Sequence, residues 1–428
     1  MSAEPHSLRR AVLTAILVVA ALVVAVLAGA TATLGLAHVT DRAAAALAAG
    51  GVVEGLVAVT GLSLILRRLP RHKIAAAAIA GGLLVSSAAA VLVPLGDPRQ
   101  TAAEVPGAER WELASGSPVR IVRVPARGHA RPTPVIFLHG GPGIADMAGD
   151  SAFFGQLSAD GFDVYVYDQL GAGASARLAD PTGYSVDRDV LDLEHVRQRI
   201  GADSVILIGH SYGGALAARY LAAHPDRVAK VVFLSPAPLD PADTSSDRAT
   251  AGLSTTAKLR VYAAVLQPRA LLAYALLQVN PKTAHDFLGD AEADARNDTV
   301  LTLADPALHC PPGRHQPPVH GSGFYRLQYP QSSTAPSSPD IRPRIAGLST
   351  PALVLKGSCD YLSWRSALDY TTALPQADLI YLPGAGHNLY QDLPAEALAA
   401  IRAFLTDAPP PIAPYRGTTV PPDYQGVP

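Results

Sequence analysis

The chain has 428 residues, a formal net charge of -2 and 49% apolar against 16% charged residues. So balanced a charge leaves no basic footprint and argues against nucleic acid as a partner, and its two cysteines are too few for a disulfide framework. The apolar fraction is high for a soluble protein, and the excess lies before residue 97.

Residues 11–37, 43–66 and 74–95 are almost wholly apolar, and each is long enough to cross a hydrocarbon core about 30 Å thick. They predict three transmembrane helices. The first stretch is too long for a signal-peptide core and two more follow it, so cleavage is not expected. Arg9 and Arg10 precede the first stretch, and Arg67, Arg68, Arg71 and Lys73 flank or fill the loop after the second. The loop between the first two carries only Asp41 and Arg42 as charged residues. Cationic flanks stay in the cytoplasm, so the N-terminus is expected inside and everything after the third stretch outside. The expected location is the cell membrane, multi-pass. Glu54 falls within the second stretch, where a charge costs about 3 kcal/mol. It is expected to pack on a neighbouring helix beside Gly50, Gly51, Gly81 and Gly82.

From Trp111 onward the pattern changes to short runs, with strands predicted at 119–124, 134–138 and 162–167. His139-Gly140-Gly141-Pro142-Gly143 follows the second of these, and glycines there expose backbone N–H groups, as an oxyanion hole requires. The N–H of Gly141 is the expected donor, with Gly140 contacting substrate and His139 structural. Asp168-Gln169-Leu170-Gly171-Ala172-Gly173-Ala174-Ser175 follows the third run. It lacks the last glycine of a dinucleotide fingerprint and reads as a loop at a site rim. Residues 187–200 predict an amphipathic helix, with Val190, Leu193 and Ile200 inward and Arg188, Glu194 and Arg197 among the exposed.

Val205-Ile206-Leu207-Ile208 then runs directly into Gly209-His210-Ser211-Tyr212-Gly213-Gly214, and an Ala/Leu-rich helical pattern follows. Strand, sharp turn and helix around Gly-x-Ser-x-Gly make a nucleophile elbow, with the Ser211 hydroxyl presented at the strand's carboxyl end and the Tyr212 N–H as second oxyanion donor. Another buried strand is predicted at 228–234. The α/β rhythm then stops, and helical stretches follow, of which 259–279 is the clearest, with a Pro/Ser/His-rich run at 306–343. An insertion there lies over the carboxyl ends of the strands and reads as a cap. The sheet resumes at 352–356, which ends in Gly357-Ser358-Cys359-Asp360, and 379–382 leads to His387. Ser211, Asp360 and His387 follow the chain order of one known serine triad. His387 is expected to take the Ser211 proton, and Asp360 to fix its tautomer.

His309, Cys310, His315 and His320 stand among Pro311, Pro312, Pro317 and Pro318 without a carboxylate to complete a ligand set, so neither metal nor cofactor is expected. In an oxidising compartment Cys310 pairs with Cys359. The segment from 408 on, with seven prolines, is expected to be extended and poorly ordered. The expected domains are 1–97 (three spans), 98–237 (core, first part), 238–345 (cap), 346–407 (core, second part) and 408–428 (tail).

Residues 111–405 resemble the α/β-hydrolase fold. Within it the motifs at 139, 168 and 209 are similar to those of the proline iminopeptidase group of serine aminopeptidases, although Leu170 stands where that group has arginine and no tryptophan occurs between Trp111 and Trp364. The resemblance implies an α/β-hydrolase fold with a mainly helical cap insertion, here preceded by three transmembrane helices. It also implies cleavage of an amide beside a free N-terminal residue, with cap acids holding the ammonium. The candidates are Asp240, Asp247, Asp286, Asp290, Glu292, Asp294 and Asp298; one acid in the stretch 286–298 is expected to make the contact, and Asp286 and Asp290 are spaced to share a helix face. The expected partners are a small peptide, amide or ester substrate and, through the spans, the lipid bilayer. An esterase or lipase uses the same triad, and a non-catalytic binding protein is the reading outside enzymes.

Overall fold

The computed structural model describes residues 4–67, 69–94, 104–310, 319–336 and 339–427. Arg68, Leu95, the 97/98 boundary, and His315 with Pro311, Pro312, Pro317 and Pro318 lie outside the described residues. The chain forms two compact units. The first comprises Met1–Asp97, Val265–Gly289 and Ser332–Thr334, the second Pro98–Ala264, Asp290–Gln331 and Ala335–Pro428, so the expected cap is divided between them.

In the first unit, helices Glu4–Ala37, Ala43–Leu66 and His72–Leu92 are long and apolar enough to cross a membrane. The first two approach closely where neither carries a side chain: a methyl on Gly50 would lie 2.7 Å from the Gly29 carbonyl and 1.9 Å from Thr33 Oγ1. Ala25, Ala58, Leu62, Ala76 and Ala80 pack between the helices. Glu54 is buried and accepts a 2.7 Å hydrogen bond from Ser87 Oγ on the third helix. Of its four expected glycine neighbours only Gly50 is closely packed; Gly51, Gly81 and Gly82 face open space, and Gly29 supplies the contact instead. The helix expected at 259–279 is broken in two, Thr255–Val265 and Pro268–Leu277, because Pro268 has no N–H to continue a helix and a fixed φ suited to opening one. Pro268–Leu277 and the following Pro281–Phe287 belong to the unit of the spans.

The second unit is built on one eight-stranded sheet. Its strands are β1 Glu109–Glu112, β2 Pro118–Val124, β3 Val135–Leu138, β4 Val164–Asp168, β5 Val205–His210, β6 Val228–Leu234, β7 Ala352–Gly357 and β8 Ala377–Leu382, in the order β1-β2-β4-β3-β5-β6-β7-β8. β2 is antiparallel to both its neighbours, and the strands from β4 across to β8 are parallel. β3, β4 and β5 are buried along their whole length, as continuous apolar runs covered by helices on both faces must be. Ile136, Leu138 and Leu207 pack with Leu216 and Tyr220 on one face; Val135, Phe137, Ile206 and Ile208 pack with Phe154 and Ile401 on the other. The short polar β1 carries no period-2 signal, and sequence reasoning missed it. In helix Val186–Ile200, Arg197 is buried rather than exposed, because Glu194 pairs with it at 2.6 Å and the Ala202 carbonyl accepts from it.

The proline-rich segment after residue 407 is not loose. Tyr415 N–H donates to Leu379 O at 2.6 Å, Gln425 N–H to Ser358 O at 2.8 Å, and Trp364 N–H to Val427 O at 2.7 Å. Its tyrosines explain the docking: the Trp364 ring meets Tyr415 and Tyr424 edge-on, each at 5.4 Å between centroids, and the Tyr424 hydroxyl donates to the Asp360 carbonyl at 3.2 Å. Tyr424→Ala should therefore cost about 2–3 kcal/mol through lost aromatic packing. Chemical denaturation of the full chain in detergent checks this, and an unchanged midpoint would contradict it.

Candidate active site

β5 ends at His210, and helix Tyr212–Ala223 begins at once. Ser211 between them has φ 54° and ψ -117°, a region that a residue with a Cβ rarely adopts. The flanking glycines make this turn feasible. A Cβ on Gly209 would lie 2.3 Å from the Gly213 carbonyl oxygen, and one on Gly213 would lie 2.0 Å from that of Leu138. The turn is pinned by Ser211 N–H to Leu234 O and Gly214 N–H to Ser211 O, both 2.9 Å.

β7 and β8 lie beside β6 with their carboxyl ends on the same edge of the sheet as that of β5, and the loops that follow bring Asp360 and His387 together. His387 Nδ1 is 2.8 Å from Asp360 Oδ1. That pairing fixes the Nδ1–H tautomer and leaves Nε2 as the basic nitrogen. The other carboxylate oxygen belongs to Lys356, whose Nζ is 2.7 Å away and whose side chain, like that of Asp360, is fully buried. Burial opposes ionisation of Asp360, but Lys356 and His387 outweigh it and hold the carboxyl well below the usual carboxylate range. Lys356 also donates to Leu362 O and Ser366 Oγ, each at 3.3 Å. The His387 ring stands 4.9 Å from that of His210 and 4.6 Å from that of Tyr361. His210, its Nε2 3.1 Å from the His387 carbonyl, is pulled down to about 3 mainly by burial and stays neutral.

The glycine loop after β3 lies against the elbow: a Cβ on Gly140 would sit 3.1 Å from Ser211 Cβ. His139 braces it from beneath. Its Nε2 accepts from Gln169 N–H at 2.9 Å, its Nδ1 contacts Gly140 O at 2.9 Å, and burial pulls the ring down to about 4. Gln169 Nε2 in turn donates to His139 O at 3.0 Å, so the loop after β4 supports the loop after β3. On the other side of the elbow Tyr212 is held by a buried pair, Asp189 and Arg326. Its hydroxyl bonds Asp189, and Arg326 Nη2 reaches both that hydroxyl, at 3.0 Å, and the Asp189 carboxylate. Sequence reasoning missed Lys356, Asp189 and Arg326. Only Lys356, four residues before Asp360 at the end of a buried strand, carried a signal, since a cation inside an apolar run calls for a partner.

Gly140, Gly141, Ser211, Tyr212 and His387 line a single cavity of about 1360 Å³ in the second unit. Asp286 and Asp290 do not line it. They lie in different helices, Pro281–Phe287 and Asp290–Ala304, and the Asp286 carboxylate accepts from Ala43 N–H at 2.8 Å, capping the second apolar helix. Asp294 and Asp298, from the same stretch, are also engaged within the fold: Asp294 pairs with Arg177 at 3.0 Å, and Asp298 accepts from the N–H groups of Gly321 and Ser322. The acids that line the cavity are Glu104, Asp146, Asp150, Asp168, Asp247 and Asp305.

A strap from the insertion crosses the His387 loop. Cys310 is disulfide-bonded to Cys359, and Asn388 N–H donates to Leu308 O at 3.1 Å. His309 sits between Asp392, 2.6 Å from Nδ1, and Asp305, 3.5 Å from Nε2. No group of side chains among the described residues is arranged to hold a metal ion.

A model of the α/β hydrolase fold matches residues 133–392. The chain belongs to the α/β hydrolase fold family. It is 44% identical to the proline iminopeptidase of Heyndrickxia coagulans over 106 residues, 24% of this chain and 35% of that enzyme. It is 26% identical to the proline iminopeptidase of Lactobacillus delbrueckii subsp. bulgaricus over 278 residues, 59% of this chain and 83% of that enzyme. The chain thus spans about a third of the first relative's length. The crystal structure of VinJ superposes with a TM-score of 0.50 at 17% identity, covering 72% of this chain and all of that one, a likeness of fold alone.

Burial lowers the His309 pKa, but the two carboxylates outweigh it and push it up to about 9. Its contribution is fully present below the ordinary imidazole value near 6.5 and lost as pH rises through about 9. Thermal unfolding of the full chain should show this loss between pH 7 and 10. His309→Gln should flatten it; an unchanged pH dependence in that variant would contradict the assignment.

Proposed function

We propose that this chain is a membrane-anchored serine hydrolase whose catalytic unit lies outside the cytoplasm, and that its activity is aminopeptidase-like, on small peptides or amides. The observation that carries the reading is a strained Ser211 and a His387 lining one cavity, with Asp360 bonded to His387 behind it. Ser211 Oγ attacks the carbonyl carbon as His387 Nε2 takes its proton, and the oxyanion is received by the N–H groups of Gly141 and Tyr212. His387 then protonates the leaving amine. Water, deprotonated by the same nitrogen, releases the acyl group from Ser211. Asp360 stabilises the transient imidazolium. Lys356 and the 2.8 Å bond to His387 keep that carboxylate ionised and in place.

Three apolar helices of sufficient length and the clustering of Arg and Lys before the first and after the second support anchoring with the N-terminus inside. The Cys310–Cys359 disulfide fits an oxidising compartment on the far side. Likeness to two proline iminopeptidases supports the peptidase reading. The esterase reading on the same triad is favoured by a different observation: of the acids expected to hold a substrate ammonium, Asp286, Asp294 and Asp298 are engaged elsewhere, Asp290 does not line the cavity, and that cavity, at about 1360 Å³, is larger than most small-ligand sites. Under the aminopeptidase reading the ammonium is met by an acid on the cavity wall, of which Asp247 and Asp305 come from the insertion.

A panel of aminoacyl arylamides, their N-acetylated forms and short-chain aryl esters tests the proposal. Free-amine arylamides should be cleaved at least tenfold better than N-acetylated ones. Ser211→Ala and His387→Ala should each lower kcat by about 10⁴-fold or more in folded protein. Equal cleavage of blocked amides or plain esters replaces the aminopeptidase reading with the esterase one, and near-normal turnover in Ser211→Ala removes the mechanism.

A further inference from the structure

Scattered exposed apolar side chains are ordinary on a protein surface; clustered ones mark a contact. Outside the three apolar helices and the residues bordering them, the exposed large apolar residues among those described are Leu191, Leu259, Tyr262, Leu266 and Leu271. Four of these five fall between positions 259 and 271. Leu266 and Leu271, 60% and 44% exposed, belong to the same compact unit as the apolar helices.

Within that unit, the helical pair Pro268–Leu277 and Pro281–Phe287 is tied to one end of all three helices. Asn280 Nδ2 donates to Ala37 O at 3.0 Å, where the first helix stops. Thr283 Oγ1 donates to Thr40 O at 2.5 Å in the turn that follows. Asp286 accepts from Ala43 N–H at 2.8 Å, where the second helix starts, and Arg269 Nη1 donates to Val91 O at 2.7 Å, near the end of the third. Helix ends carry unpaired carbonyl and N–H groups, which cannot be left bare in hydrocarbon. The pair satisfies several of them, and so it lies at the level where the apolar helices leave the lipid. At ten and seven residues its helices are too short to cross a bilayer.

We propose that Leu266 and Leu271 dip into the interfacial layer of the bilayer, so that the segment around Pro268–Leu277 is a further membrane-contacting element that lies on the membrane instead of crossing it. This rests on the reading of the three apolar helices as spans. An apolar edge at the headgroup boundary is how interfacial helices bind. Leu271 is on a helix whose buried side, Ala270, Ala273, Leu276 and Leu277, is already covered, so its exposed position is matched by lipid. The insertion into the hydrolase core is thereby fixed to the membrane at a second place in the sequence, more than 170 residues after the third span ends at Leu92.

Site-directed spin labelling of the full chain in lipid nanodiscs tests this. No described cysteine is free, so a cysteine introduced at Leu271 or Leu266 takes the nitroxide alone. Leu191→Cys serves as a solvent reference and Val23→Cys, on an exposed face of the first helix, as a lipid reference. At 271 and 266 the ratio of collision with oxygen to collision with a water-soluble nickel chelate should be several-fold above that at 191, approaching that at 23. A ratio at both 271 and 266 equal to that at 191 overturns the proposal. So does a label at both positions shielded from both reagents, which would mean a protein surface covers them. An aqueous ratio at 23 overturns the span reading itself, and is told apart because it fails at a site outside the helical pair.

Discussion

Everything in the catalytic unit depends on one strained turn. Ser211 holds a φ of 54° because the strand before it and the helix after it are locked to their neighbours, and because Gly209 and Gly213 admit backbone carbonyls where any side chain would collide. Such a conformation costs on the order of 1–3 kcal/mol and persists only where the surroundings over-determine it. Here β5 is buried between β3 and β6, and the Ser211 carbonyl is bonded by the N–H groups of Gly214 and Ala237. The turn puts Ser211 on the wall of the cavity, beside Gly140, Tyr212 and His387.

Those parts are braced from behind by buried polar contacts. Asp360 is shared between His387 and Lys356, the glycine loop is propped by His139 and Gln169, and Tyr212 is held by Asp189 and Arg326. Each charge is buried with a partner, the condition under which buried ions persist, and apart from the Lys356–Asp360 pair each contact joins chain segments distant in sequence. The segment after residue 407 adds a further clamp, since Tyr424 bonds the Asp360 carbonyl while packing on Trp364.

The sheet and the neighbourhood of Ser211, Asp360 and His387 were legible because each of these residues follows a short strand, and parallel strands present their carboxyl ends along one edge. Their grouping as candidates came from local pattern and chain order alone. The pairing of Cys310 with Cys359 rested on the expectation of an oxidising compartment outside the membrane. The substrate acids were not legible: Asp286 and Asp290 were judged by spacing, but a break at Leu288 and Gly289 separates their helices, and Asp286 is taken up by the N–H of Ala43. Nor does local sequence reveal that Arg326 meets Asp189, 137 positions earlier. Composition misled at the C-terminal segment, where prolines suggested a loose chain and the packing of Tyr415 and Tyr424 on Trp364 decided otherwise.

The central claim is that Ser211 is a nucleophile activated by His387, and it can be tested without knowing the substrate. A fluorophosphonate probe reacts with an activated serine hydroxyl and with little else. After incubation with the purified full chain, peptide mapping by mass spectrometry should place one phosphonyl group on Ser211, and His387→Ala should lose the label while remaining folded. A label at any other residue, or undiminished labelling of His387→Ala, would contradict the account.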